Sequence, residues 1–432
     1  MKRHTSFLLC LGTLLVNVSA HADLKPKSHI GIAGIDFQSQ VGTAYGIDDN
    51  VTFQIDDEDK IESNYLTVSP ELKAIGQRGE DQYLLMYKGD YNRYQDSHED
   101  DSDSHFMMFD GYWRYGLRHG LKWNVQQGYG KEKRGLGLTE GFDESQMEHY
   151  GFGDSGLDYS QFNTSLRYSY GAPKGRGKLD VMLQTKSFGY DDKDHIQIAD
   201  NNFYQYVLEQ EWQETTGLIE LFDQYSDDSR FRYSLITNRR HYQANKRKDS
   251  NEYYLLFGIK SVRSGKTTID ADIAALYKAF PENDRSESFL GANWNVALEW
   301  KPLKHDIWSL HTSQRVKDPR QEGGYILDGI YGISWQHFWW VDRFSTTISY
   351  EYETEDYRIE DNNRYDKTKT AKFAIGYDFR PSIRFEMNYQ WKKFSSNEDI
   401  DVLNIGEFDQ YSIIRRLGYG QSYVELQLKV QI

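Results

Sequence analysis

Alternation with a period of two, held over unusually long segments, restricts this chain more than any other feature. "NWNVALEW" places Trp294, Val296, Leu298 and Trp300 on one side and Asn293, Asn295, Ala297 and Glu299 on the other. "IRFEMNYQW" aligns Ile383, Phe385, Met387, Tyr389 and Trp391, and "AKFAIGYDF" aligns Ala371, Phe373, Ile375, Tyr377 and Phe379. Such alternation marks strands with one wet and one apolar face. The runs extend over about 11 to 15 residues, whereas soluble strands average about 5 to 6. A tilted strand crossing a bilayer needs about 9 to 11.

The pattern predicts an all-β transmembrane antiparallel up-and-down β-barrel of about eighteen strands. The expected strands are 34–46, 61–75, 81–93, 104–117, 121–133, 157–170, 177–190, 202–214, 230–243, 251–263, 266–279, 287–301, 305–317, 323–337, 344–357, 367–379, 382–395 and 421–432. Connections alternate short and long, as in outer-membrane barrels with tight periplasmic turns and longer outside loops. Two segments fit poorly. Pro70 falls inside a strand, which calls for a bulge. Residues 216–230 are long for a periplasmic turn, so 16 to 20 strands remain open. A soluble propeller or solenoid is the competing class, but no motif repeats at a fixed period.

Composition supports a barrel. Hydrophobic residues make up 38%, too few for helical spans, while aromatics reach 15% with 33 Tyr against 7 Pro. A barrel needs apolar side chains only at alternate positions. Trp113, Trp123, Trp212, Trp300, Trp308, Trp335, Trp339 and Trp340 fall near expected periplasmic turns, as an interfacial girdle requires. The formal net charge of −15 argues against nucleic acid as a partner.

The N-terminus reads as a secretory signal peptide over 1–22, with basic Lys2 and Arg3, an apolar run Phe7–Val16, and Ala20 and Ala22 at the cleavage site. Residues 23–33 are expected as a periplasmic segment and 34–432 as a single barrel domain, placed in the outer membrane of a Gram-negative bacterium. Cys10 lies in the leader and is the only cysteine, so no disulfide or thiolate site is expected.

If the apolar positions face lipid, the alternate ones face the lumen. Pore-lining candidates are Asp110, Arg114, Lys122, Arg167, Asp270, Asp272, Glu351, Glu353, Arg384, Glu386 and Lys392. The wall they predict is polar and mixed in sign. The acidic loops "QDSHEDDSD" and "DDEDK" lack the spacing of a calcium loop, so neither metal nor cofactor is expected. No G-x-S-x-G or H-E-x-x-H occurs, and no catalytic residues are assigned.

The final strand alternates cleanly. Tyr423, Val424, Leu426, Leu428, Val430 and Ile432 are expected to close the barrel against the first strand and to serve as its assembly signal. Closure would leave no open edge. The barrel-assembly machinery is the partner this implies.

Several segments carry a resemblance. "AYGIDDNVTF" (44–53, with Asp48, Asp49 and Asn50), "YKGDYNRYQD", "GKEKRG", "NRYDKT" (with Arg364 and Asp366) and "NYQWKKFSSN" occur in order along the chain. Together they resemble the beta-barrel porin 2 family, outer-membrane barrels of exopolysaccharide biosynthesis and export systems. The segment from Glu398 to Gln421 departs from that pattern in being longer. The resemblance implies a porin that passes a secreted exopolysaccharide or capsular polysaccharide, working with a periplasmic polysaccharide-export protein. Outer-membrane lipid, lipopolysaccharide and the polysaccharide itself are then its other partners. Two alternatives stand beside it. One is a general or solute-specific diffusion porin, with 134–156 as the inward loop. The other is a barrel anchoring surface polysaccharide through loop aromatics such as Tyr150, Phe152, Tyr159, Phe408 and Tyr411.

Overall fold

A computed structural model describes residues 29–32, 34–172, 175–263, 265–283, 286, 288–320, 324–339, 343–359, 363–405 and 410–431. The signal-peptide residues and Ile432 lie outside this set. The strands are β1 (His29–Ile32), β2 (Ile35–Asp48), β3 (Ser63–Arg78), β4 (Asp81–Tyr94), β5 (Ser102–Tyr115), β6 (His119–Glu132) and β7 (Leu157–Tyr170). There follow β8 (Gly177–Tyr190), β9 (Trp212–Ser226), β10 (Ser229–Tyr242), β11 (Ser250–Arg263), β12 (Thr267–Ala279), β13 (Phe289–Trp300) and β14 (Asp306–Lys317). The last are β15 (Tyr325–Trp339), β16 (Phe344–Arg358), β17 (Tyr365–Arg380), β18 (Ile383–Ser396), β19 (Ile400–Ile405), β20 (Tyr411–Arg416) and β21 (Tyr419–Gln431).

The main sheet has 19 strands; β1 is a short addition to β2, and the other eighteen form a closed antiparallel ring. Closure runs through β2 and β21, from Gln40 opposite Gln431 to Asp48 opposite Tyr423. β19 and β20 form a separate hairpin. The chain is thus an eighteen-stranded transmembrane β-barrel of the outer-membrane type.

The outward face is apolar. Leu183, Ile219, Leu255, Ile273, Leu310, Ile348 and Leu426 are all exposed, as lipid contact requires. On the final strand Val424 and Leu426 point out, while Tyr423, Glu425, Gln427 and Lys429 take the luminal side. Tyr423 therefore does not share the outward set. Strict period two places it with Glu425, and its hydroxyl donates to Gln390 at 3.4 Å.

Three expectations change. Pro70 produces no bulge. The β2–β3 register runs on past Val41 and Pro70, and only the β3–β4 ladder is interrupted, at 69 and 70. Residues 202–214 are not one strand: α2 (Asp194–Ala199) and α3 (Asn201–Leu208) precede β9, and residues 212–226 form the strand. Phe203, Tyr206 and Val207 are buried at helical spacing, and the Asp200 carboxylate caps α3 by accepting from Asn202 and Phe203 backbone N–H groups, each at 2.8 Å. Trp212 consequently sits at the loop end, facing inward, with the Arg240 guanidinium over its ring at 4.5 Å. Trp340 lies outside the described residues.

Candidate functional site

Eight turns close one end of the barrel and nine connections the other, and the longer connections hold the candidate site. Three of these, 133–156, 191–211 and 397–418, pack together. The first carries α1 (Glu144–His149), which begins with a capping box between Asp143 and Gln146. The second carries α2 and α3, and the third the β19–β20 hairpin. Leu138, Phe142, Met147, Phe152, Ile196, Phe203, Val207, Leu403, Ile405 and Ile413 form one buried apolar core at their junction. Phe203 is its centre, within 5.9 Å of the rings of Phe142, Tyr150, Phe152 and Tyr206. We call this unit the cap.

Polar ties pin the cap around the rim. Arg134 makes paired hydrogen bonds to Asp100 at 3.0 and 2.7 Å. Arg416 bonds Asp56 at 2.5 and 3.2 Å, and Gln54 Nε2 donates to the Phe142 carbonyl at 3.1 Å. On the far side Lys248 Nζ reaches Gln210 Oε1 at 2.8 Å and the Arg320 carbonyl at 2.9 Å. Arg320 belongs to the β14–β15 connection, about half the ring from the β6–β7 connection that supplies Glu140, yet the two line one chamber. The cap therefore spans the mouth.

The residues of the porin 2 resemblance are fasteners. At the seam Gln421 Nε2 donates to both Asp48 oxygens, at 3.0 and 2.8 Å, and Ser422 N–H donates to Asp49 at 2.6 Å. Asn50 Nδ2 donates to the Gln54 and Gly420 carbonyls at 2.7 and 2.8 Å. Gly46 leaves the space in which Tyr65 crosses β2 to donate to Glu425 at 3.0 Å. Arg364 holds Asp366 at 2.8 Å, Asp401 of the cap hairpin at 3.2 Å and Glu140 at 3.4 Å. It is buried, and fork geometry lets one guanidinium serve three carboxylates.

Beneath the cap lies a chamber of about 730 Å³ lined by charged and aromatic side chains, among them Tyr190, Trp212, Arg240, Glu252, Lys317 and Arg415. Burial would push the Glu140 carboxyl up, but Arg320, Arg364 and Arg415 outweigh it and hold it below the usual glutamate value. Burial likewise opposes ionisation of Asp318, and Lys278, Arg240 and Lys248 overcome it. Arg320 Nη1 and Arg415 Nε are buried donors without a hydrogen-bond partner among the described residues.

All eleven expected pore residues occupy inward-facing positions of their strands, and ten of them pair with side chains of other strands. Lys122 meets Asp110 at 2.8 Å, and Arg167 meets Asp180 at 3.1 Å and Glu220 at 3.5 Å. Asp270 takes Lys260 at 3.0 Å, and Asp272 takes Arg232. Glu351 bonds His311 at 3.2 Å and Glu353 bonds Lys317 at 3.3 Å. Arg384 joins Glu386 at 2.9 Å, which also takes Lys429 at 2.7 Å, and Lys392 sits 5.4 Å over the Tyr419 ring. Arg114 is the exception: it folds onto its own turn, donating to the Gly116 carbonyl at 3.1 Å.

The expected inward loop 134–156 forms one part of the cap, but its other two segments and the chamber's own groups, Arg240, Asp318, Arg320 and Arg415, were not among the sequence candidates. Tyr150 and Phe152, candidates for stacking on surface sugar, are used in the cap core, while Tyr411 is exposed. Phe408 lies outside the described residues.

No protein-family model matches the chain, and no curated protein matches it. Similar solved structures include OpdO of Pseudomonas aeruginosa, at 7% identity and TM-score 0.48 over 93% of this chain and 98% of that one. OccK1 (OpdK) of Pseudomonas aeruginosa is similar at 8% and 0.47, over 92% and 99%. The FrpB iron transporter of Neisseria meningitidis (F3-3 variant) is similar at 10% and 0.46, over 92% and 81%.

Proposed function

We propose that the protein is a solute-specific outer-membrane channel for small hydrophilic molecules. The observation that carries this reading is the cap: it spans the mouth and leaves a chamber of about 730 Å³. Pockets of that size suit single small molecules, about 300–1,000 Å³ being typical. The lining gives hydrogen-bonding and stacking partners of both charge signs, and its unpartnered buried donors favour a polar occupant.

Passage of a secreted polymer, which the family resemblance implies, needs the cap to swing clear. Its polar fastening to the rim makes that the second reading. Reconstitution separates the two. Solute-selective liposome swelling by small sugars or organic acids, with normal polymer secretion in a deletion strain, supports the channel. Absent swelling together with lost secretion overturns it in favour of export.

A further inference from the structure

The turn end carries a cluster that solute passage does not use. The turn before β14 ends in His305, β14 begins with Asp306, and the neighbouring β15 places His337 directly opposite Asp306. One ligand atom from each residue falls within 4.8 Å of the others. His337 Nδ1 lies 2.6 Å from Asp306 Oδ1, and His305 Nε2 lies 3.9 Å from Asp306 Oδ2. The two imidazoles stand nearly perpendicular, at 80° with centroids 5.1 Å apart. His337 shares the outer face with Trp335 and Trp339, whose rings lie 5.6 and 4.0 Å away. Tryptophans at this level mark the membrane–water boundary, so the cluster opens to periplasmic water.

From this arrangement we infer a divalent transition-metal site, with zinc as its natural occupant. Two imidazoles and one carboxylate, with water completing a tetrahedron, are a ligand set of open zinc sites. Imidazole ligands also exclude magnesium and calcium, which take oxygen donors. A second carboxylate group, Asp328, Glu353 and Glu355 on the luminal wall, shows the contrast. There Lys317 already sits among the acids, at 2.9, 3.3 and 2.7 Å, and fills the place of a cation. No lysine or arginine ion pair among the described residues occupies Asp306; its charge partners are the two histidines. Zinc would bind one ring nitrogen of each histidine and a carboxylate oxygen of Asp306. It would thereby clamp the β13–β14 turn to β15.

The test is Co²⁺ titration of the full-length, detergent-extracted protein, followed by calorimetry and by visible absorption, which reports coordination geometry. One Co²⁺ per chain, displaced by Zn²⁺, is expected. H305A and H337A should each weaken binding at least ~10-fold, and H98A, in an exposed loop, should not. His305 is an exposed turn residue, so its variant tests the site even where H337A fails to give heat-modifiable barrel. Equal Co²⁺ affinity in wild type and H305A, or wild-type binding no tighter than that of the H305A/H337A double variant, overturns the site.

Discussion

Arg232 and Asp272 stand two strands apart and touch: the Arg232 Nε donates to Asp272 Oδ1 at 3.1 Å over Gly258 of the strand between. A β-carbon on Gly258 would lie 2.1 Å from that carboxylate oxygen. Gly332 is crossed in the same way by His311 on its way to Glu351, and Gly376 by Arg384 on its way to Ser345. Glycine in these strands serves the luminal charge lattice by leaving room for a side chain to bridge over it.

Gly258→Val should therefore displace the Arg232–Asp272 pair and cost about 1–3 kcal/mol as overpacking. The temperature at which the folded, fast-migrating form is lost on gels should fall. Ala275→Val, on the outward face of β12, should leave it unchanged.

Arg364→Ala removes one buried guanidinium from three carboxylates. Breaking such a buried pair costs about 3–5 kcal/mol. The loss should fall on the cap and spare the barrel: protease cleavage within 397–418 and single-channel conductance should both rise, while heat-modifiable migration persists.

Acid should act on the Glu140 tie and on Asp318 in the chamber beneath the cap. Glu140 and Asp318 both have folded-state values depressed below their ordinary 4.5 and 3.8. A depressed carboxylate contributes stability that is complete above its unfolded value and is lost as pH falls through the folded one. Cap protection from protease should hold from neutral pH down to about 4.5 and decline progressively below it. Glu140→Gln should remove the part of that decline nearest 4.5.

Leu426 points outward near the middle of β21, opposite Met387 and Tyr45. Leu426→Arg should cost about 2–4 kcal/mol at mid-bilayer depth and reduce the yield of folded barrel in outer-membrane fractions. Gln427→Arg, one position on and facing the lumen, should assemble normally.

The strands were legible because lipid on one face and water on the other force each residue to declare its side. Strand count and closure followed from that alternation. The helices at 194–208 were hidden because Phe203 and Val207 satisfy both period two and helical spacing, and only the Asp200 cap distinguishes them. That displacement also misplaced Trp212. The wall residues were legible individually, but their pairing depends on register, which the sequence pattern does not carry. Of the cap only the inward segment 134–156 was legible, and its assembly was not, for a related reason: the core joins Phe142, Phe203 and Leu403, which lie far apart in the chain and share no local pattern.

The ties between Lys248 and the Arg320 carbonyl, and between Arg364 and Glu140, join connections separated by four or more strands around the ring. They meet only when every intervening strand has been laid down in its proper place. A ring closed one hairpin short, or slipped by two residues at the β2–β21 seam, would deliver these groups to the wrong points of the circumference. Cap closure thus requires a correctly registered ring, and a misassembled barrel would be left with an uncapped mouth.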